Sequence, residues 1–129
     1  GLAAPQIGVS YQLVVIEIEN TTTRYGELDQ IPFSVFVNPT ISVVGEATAG
    51  YWEGCLSLPG LMGYVERPQL ILVNCLDEAG NSSSVEYDGF LATVFQHEFD
   101  HLMGKLYVDR MKDLDRFSFD EEYMEYHTN

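Results

Sequence analysis

The pentad His97-Glu98-Phe99-Asp100-His101 constrains the architecture of this chain more than any other feature. Histidines four residues apart stand one turn apart on one helix face, so both rings can reach a single metal ion. Glu98 lies beside them, where a general base for an activated water would stand. A catalytic metal takes about three protein ligands and keeps one position open. The helix must therefore be packed so that this face meets another segment carrying a third donor. Two imidazoles buried without partners would cost roughly 1–3 kcal/mol each, and coordination satisfies both.

The surrounding sequence supplies such a helix. Asp88 is an N-cap candidate, the helical spacing of Leu91, Val94, Phe95 and Leu102 runs over residues 89–103, and Gly104 is a left-handed stop. Phe90, Val94, His97 and His101 share one stripe of it. Upstream, residues 11–19, 33–37, 40–44 and 69–76 read as strands, with Asn38-Pro39 ending the second. Residues 20–29 read as a polar loop. Residues 79–81 form a turn, and 83–87 return as a hairpin partner. Residues 53–63 carry Gly54, Pro59, Gly60 and Gly63 and read as irregular backbone. The acidic, aromatic end of the chain holds a short helix over residues 120–126.

These elements predict an α+β fold, with small antiparallel or mixed sheets packed around a central metal-binding helix. With 129 residues, 46% of them hydrophobic, one domain over residues 1–129 can bury a core, and 112–129 form an acidic tail. No apolar run approaches the roughly 20 residues of a membrane helix, and no signal segment is present. The net charge of −14, from 20 acids and 6 bases, argues against nucleic acid and anionic membranes as partners. It reads as a solubility trait or a saline habitat. Two cysteines make no disulfide framework, so the expectation is a reducing compartment and a cytoplasmic monomer.

Two sources of a third ligand are open. Glu121, Glu122 and Glu125 lie downstream at a spacing that suits a zinc endopeptidase with two histidines and a glutamate. The extended motif with a third histidine fails, because Tyr107 occupies that position. The other source is Cys55, in Glu53-Gly54-Cys55-Leu56-Ser57, where glycine permits a tight bend and a thiolate is a strong ligand for a soft divalent metal. Cys75, in an apolar strand, reads as an ordinary buried cysteine. On the helix stripe, Phe90 and Val94 can form a wall of an apolar side-chain pocket, with Tyr51 closing another side.

Three segments together are more specific than the pentad. Gly1-Leu2-Ala3-Ala4-Pro5-Gln6, Glu53-Gly54-Cys55-Leu56-Ser57 and Gln96-His97-Glu98-Phe99-Asp100-His101-Leu102 resemble, in order and spacing, the signature motifs of the peptide deformylases. Arg67-Pro68 and Gly104-Lys105-Leu106 match as well. The resemblance spans residues 1–109. It implies a metal-dependent hydrolase that removes the formyl group from N-formyl-methionyl nascent peptides and releases formate. It implies Cys55, His97 and His101 as metal ligands and Glu98 as the proton shuttle. The Gln6 side-chain amide and the Leu56 backbone N–H would hold the oxyanion.

The resemblance also implies substrate contacts at Gly1, Glu53, Gly54 and Arg67, the last through the peptide backbone. Ligand chemistry alone suits zinc, whereas the resemblance implies ferrous iron, with nickel or cobalt as active substitutes. Family members carry a further segment before the residue matched by Gly1, so this chain is expected to be a fragment or a shortened form. The remaining rival to an enzyme is a catalytically silent, metal-stabilised binding module.

Overall fold

The computed structural model describes residues 1–8, 11–18, 22–23, 26–27 and 31–126. The chain opens with β1 (Leu2–Ala3) and a 3-10 turn over Ala4–Ile7, then β2 (Leu13–Ile18). The two-residue strands β3 (Thr22–Thr23) and β4 (Gly26–Glu27) pair with each other, and the rest of the expected loop over 20–29 lies outside the described residues. Next come β5 (Ile31–Val43), β6 (Thr48–Cys55), β7 (Leu58–Pro68), β8 (Leu70–Leu76) and β9 (Ser82–Asp88). Helix α1 spans Gly89–Leu102. Two 3-10 turns, Tyr107–Arg110 and Leu114–Arg116, lead to β10 (Phe117–Phe119) and helix α2 (Asp120–Tyr126).

The larger sheets are antiparallel throughout. One has the order β1-β2-β5-β8-β9 and the other β10-β7-β6. Helix α1 covers the five-stranded sheet with Ala92, Phe95 and Leu102, which pack on Val14, Ile16, Phe36, Ile71 and Val73. Phe95 meets Phe36 edge-on, with ring centroids 5.0 Å apart. Burying each large apolar side chain in this layer contributes about 1.5–3 kcal/mol. The helical period then leaves His97 and His101 for the second sheet, which carries Cys55, Glu53 and Arg67. The α+β expectation holds, with the helix between the sheets.

Three local expectations need correction. Residues 33–37 and 40–44 are not separate strands but parts of β5, whose register shifts between Val37 and Thr40. Asn38 sits there at φ 48°, a left-handed conformation that asparagine tolerates, so the Asn-Pro pair bulges the strand instead of ending it.

Residues 53–63 are also regular, forming the ends of the β6–β7 hairpin. Gly54 and Gly63 are points of close approach within strands. A Cβ on Gly63 would come 2.7 Å from Met111 Sδ and 2.8 Å from the Tyr107 ring.

Asp88 has the extended backbone of an N-cap, but its carboxylate makes no capping hydrogen bond. Gly104, at φ 72°, is the expected left-handed residue past the helix end.

Candidate metal centre

Helix α1 presents His97 and His101 one turn apart, and the end of β6 brings Cys55 to them. One ligand atom from each lies within 4.8 Å of the other two, and this is the only such group among the described residues. Cys55 Sγ is 3.5 Å from His101 Nε2. The candidate third donor beside the two imidazoles is therefore sulfur. Glu121, Glu122 and Glu125 lie on the exposed side of α2 and do not join the cluster.

The His97 ring is held from behind. His97 Nδ1 is 2.8 Å from Glu53 Oε1. An ionised carboxylate only accepts, so the ring carries its proton on Nδ1 and keeps the Nε2 lone pair for a metal. Burial works against charge on His97, yet its bond to Glu53 raises its pKa above 6.5. Burial, with the nearby His97, lowers that of His101.

Glu53 is buried and was expected to touch substrate. Its side chain instead links His97 to Arg67, which binds both carboxylate oxygens at 2.7 and 3.0 Å. Arg67 also donates to Asp100 at 2.9 Å, and Arg110 grips the same carboxylate from outside. Arg67, expected at the peptide backbone, is thus held within an ionic network. Its guanidinium is buried and engaged by two acids, because only paired charges are tolerated there. Sequence reading missed Asp100 and Arg110 as members of this network; the charged residue inside the pentad was the available signal.

Glu98 is buried beside the cluster. Among the described residues its Oε2 has no hydrogen-bond partner. Burial raises its carboxyl above the ordinary 4.5. Gly1 backs it so closely that a Cβ there would fall 2.9 Å from Glu98 Cγ. An orphaned buried carboxylate oxygen next to three soft and borderline donors fits a site built to hold a divalent ion and a water.

Gln6 lies in the 3-10 turn after β1. The Ala3 N–H donates to its Oε1 at 2.9 Å, which fixes the amide orientation. Its NH2 group consequently faces the cluster, 3.8 Å from Cys55 Sγ and 3.5 Å from Ser57 Oγ. Leu56 occupies the turn after Cys55 with its side chain almost fully exposed.

A cleft of about 230 Å³ opens beside the centre, lined by Trp52, Glu53, Gly54, Phe90, Thr93, Val94, His97 and Glu98. Phe90 and Val94 form the expected wall. Tyr51 is not among the residues lining the cleft but meets Phe90 edge-on, with centroids 5.1 Å apart. The neighbouring Trp52 lines it instead, a residue sequence reading passed over because a lone tryptophan on a strand carries no motif.

The sequence profile of the polypeptide deformylase family matches residues 1–117. The chain belongs to the peptide deformylase family. A peptide deformylase of Leptospira biflexa is 45% identical over 122 residues, 95% of this chain and 68% of its own length. Peptide deformylase 1 of Bordetella pertussis is 45% identical over 121 residues, 94% of this chain and 68% of that protein.

Among solved structures, a Synechococcus elongatus peptide deformylase in complex with actinonin superposes with a TM-score of 0.76 at 37% identity. That match covers 99% of this chain and 63% of the other. A Thermotoga maritima peptide deformylase gives a TM-score of 0.72 at 37% identity, covering 87% of this chain and 69% of that one. The chain thus spans roughly two thirds of the length of these deformylases.

Proposed function

We propose that this chain hydrolyses the N-formyl group of formyl-methionyl peptides and releases formate. One observation carries this reading: Cys55, His97 and His101 converge beside Glu98, whose buried oxygen lacks a partner, and beside an oriented Gln6 amide. The two-histidine, one-glutamate protease reading loses support because Cys55 sulfur, and no glutamate, lies with the two imidazoles among the described residues.

Cys55, His97 and His101 would hold the divalent ion, with ferrous iron the favoured candidate by family and zinc, nickel or cobalt as alternatives. When bound, the ion supplies Lewis acidity, polarising a carbonyl and acidifying water. Glu98 takes the proton of the attacking water on its free oxygen and later delivers it to the leaving amine. Its raised pKa brings the carboxyl nearer neutrality, which suits both transfers. Gln6 Nε2 donates to the oxygen that gains negative charge, and the Leu56 N–H is the second donor. Each is worth about 3 kcal/mol in the transition state. The cleft between Trp52 and the Phe90–Val94 stripe takes the methionine side chain and keeps water from it.

No described helix is long and apolar enough to cross a membrane. A cysteine outside any disulfide at the centre favours a reducing compartment, so we place the protein in the cytoplasm, acting as a monomer on nascent peptides.

The test is formate release from formyl-Met-Ala-Ser by anaerobically purified protein, with elemental analysis of the same sample and of Cys55→Ala. Formate release by the parent and loss of metal in the variant are expected. A metal-loaded parent that releases no formate would leave a silent binding module. Full metal content in Cys55→Ala would return the third ligand to a carboxylate.

A further inference from the structure

The bond to Glu53 holds His97 at Nδ1, but a bond at one atom does not fix a plane. The outer torsion of a histidine is broad, so a ring held only there can swing and carry its Nε2 lone pair off target. The Tyr107 ring runs nearly parallel to this imidazole, tilted by 16°, with centroids 6.3 Å apart. That separation is within the range of stacked aromatic pairs. His101 meets His97 from another side at 88°, with centroids 5.1 Å apart. Tyr107 opens the 3-10 turn Tyr107–Arg110 and is 1% exposed. β7 makes room for it at Gly63, the residue paired with Glu53 across the β6–β7 ladder. A Cβ at Gly63 would stand 2.8 Å from the Tyr107 ring. The phenol is thus wedged between the strand and the first histidine of the pentad.

Its hydroxyl does not explain that place. The oxygen is buried and, among the described residues, has no hydrogen-bond partner. Burial, with Cys55, Asp120 and Glu53 nearby, pushes its pKa up to about 12, so it stays neutral. An orphaned buried hydroxyl costs the fold stability, which leaves the flat ring as the useful part.

We propose that Tyr107 is a positioning residue whose ring sets the plane of the His97 imidazole at the metal centre, with Gly63 as the gap that admits it. The inference rests on the metal-centre reading and adds to it a residue that is neither a ligand nor hydrogen-bonded to one. A coordinating group must be held within about 10–20° of its productive direction. Glu53 supplies the anchor point for His97, and Tyr107 supplies the plane. Coordination geometry, and not affinity alone, then depends on a side chain that donates nothing to the ion.

The experiment loads parent, Tyr107→Leu, Gly63→Ala and Tyr107→Phe with cobalt(II) under anaerobic conditions. Visible ligand-field absorption reads the coordination geometry. Near-ultraviolet thiolate-to-cobalt charge transfer reads Cys55. Chelator competition reads affinity, and urea unfolding of the metal-free proteins reads stability.

Tyr107→Leu fills space without a flat face. It should shift and broaden the ligand-field bands and weaken cobalt binding by about tenfold, while the charge-transfer band persists. Gly63→Ala crowds the Tyr107 ring from the strand side; Met111, against the same methyl, can yield through its flexible chain, whereas a ring must move as a whole. It should alter the same bands, and it covers the case in which Tyr107→Leu fails to fold. Tyr107→Phe keeps the ring and discards the orphaned hydroxyl. It should give parental bands, affinity within about twofold and a urea midpoint no lower than that of the parent.

A purely structural role would lower the urea midpoint and leave the bands of the bound cobalt unchanged. Parental bands in both Tyr107→Leu and Gly63→Ala would therefore overturn the proposal, as would loss of the parental spectrum in Tyr107→Phe. A parent that binds cobalt without a thiolate band defeats the metal-centre reading itself, which separates that failure from this one.

Discussion

Glu53 Oε1 lies 2.8 Å from His97 Nδ1 and fixes which nitrogen of that ring is free to coordinate. The same carboxylate is clamped on its other side by Arg67, itself held by Asp100. The first histidine of the pentad is thus oriented by a buried ionic chain that reaches the surface at Arg110.

Glu53→Ala should therefore weaken metal retention by about 10–100-fold. Competition with a chelator, followed by elemental analysis, measures it directly. Retention equal to that of the parent would mean that the coordinating atoms are held by packing alone.

Acid sensitivity of the metal-free protein follows from the same residue. Burial would raise the Glu53 carboxyl, but hydrogen bonds from His97 and Arg67 outweigh it and hold the pKa below 4.5. A depressed carboxyl stabilises the fold above its unfolded value, and that contribution is lost as pH falls through the folded value. The urea midpoint of the metal-free parent should consequently drop toward that of Glu53→Gln as pH falls below 4.5. A gap between the two that stays constant down to the acid limit of folding would contradict the assignment.

Glu98→Gln keeps the volume of the side chain and removes the base. Formate release should fall by about 10² or more with metal content intact. Should activity survive that substitution, proton transfer must run through another group.

Gly1→Ala tests how tightly Glu98 is placed. The added methyl meets Glu98 Cγ at 2.9 Å, so the carboxylate must shift. A misplacement of this kind can cost on the order of 10–10² in kcat. Steady-state kinetics with unchanged metal content would show it, and a parental kcat would mean that the Glu98 stem yields without moving its carboxylate.

Most of the secondary structure was legible from local pattern. Capping chemistry, 3.6-residue spacing and the Gly104 stop located α1 to within one residue of Gly89–Leu102. Alternation located β2, β8 and β9. The failures share a cause. Gly54, Gly60 and Gly63 looked like turn residues because sequence shows a glycine's freedom but not its neighbours. Two of them are glycine because Met62, Met111 and Tyr107 press on the strand. Arg67 looked free to meet a substrate because its acids lie 14 and 33 residues away.

By itself, the sequence determined that one helix face carries two imidazoles and a carboxylate, since helical geometry brings residues four apart into line whatever surrounds them. The motif around Cys55 named the third donor, but a thiol 46 residues from His101 reaches it only when the β6–β7 sheet closes over α1. That closure also decided that Arg67 points inward onto Glu53 and Asp100, and that the Trp52–Gly54 stretch of β6 meets Phe90 and Val94 at the cleft. Such placements depend on side chains meeting across separate strands, and spacing along the chain carries no record of those meetings.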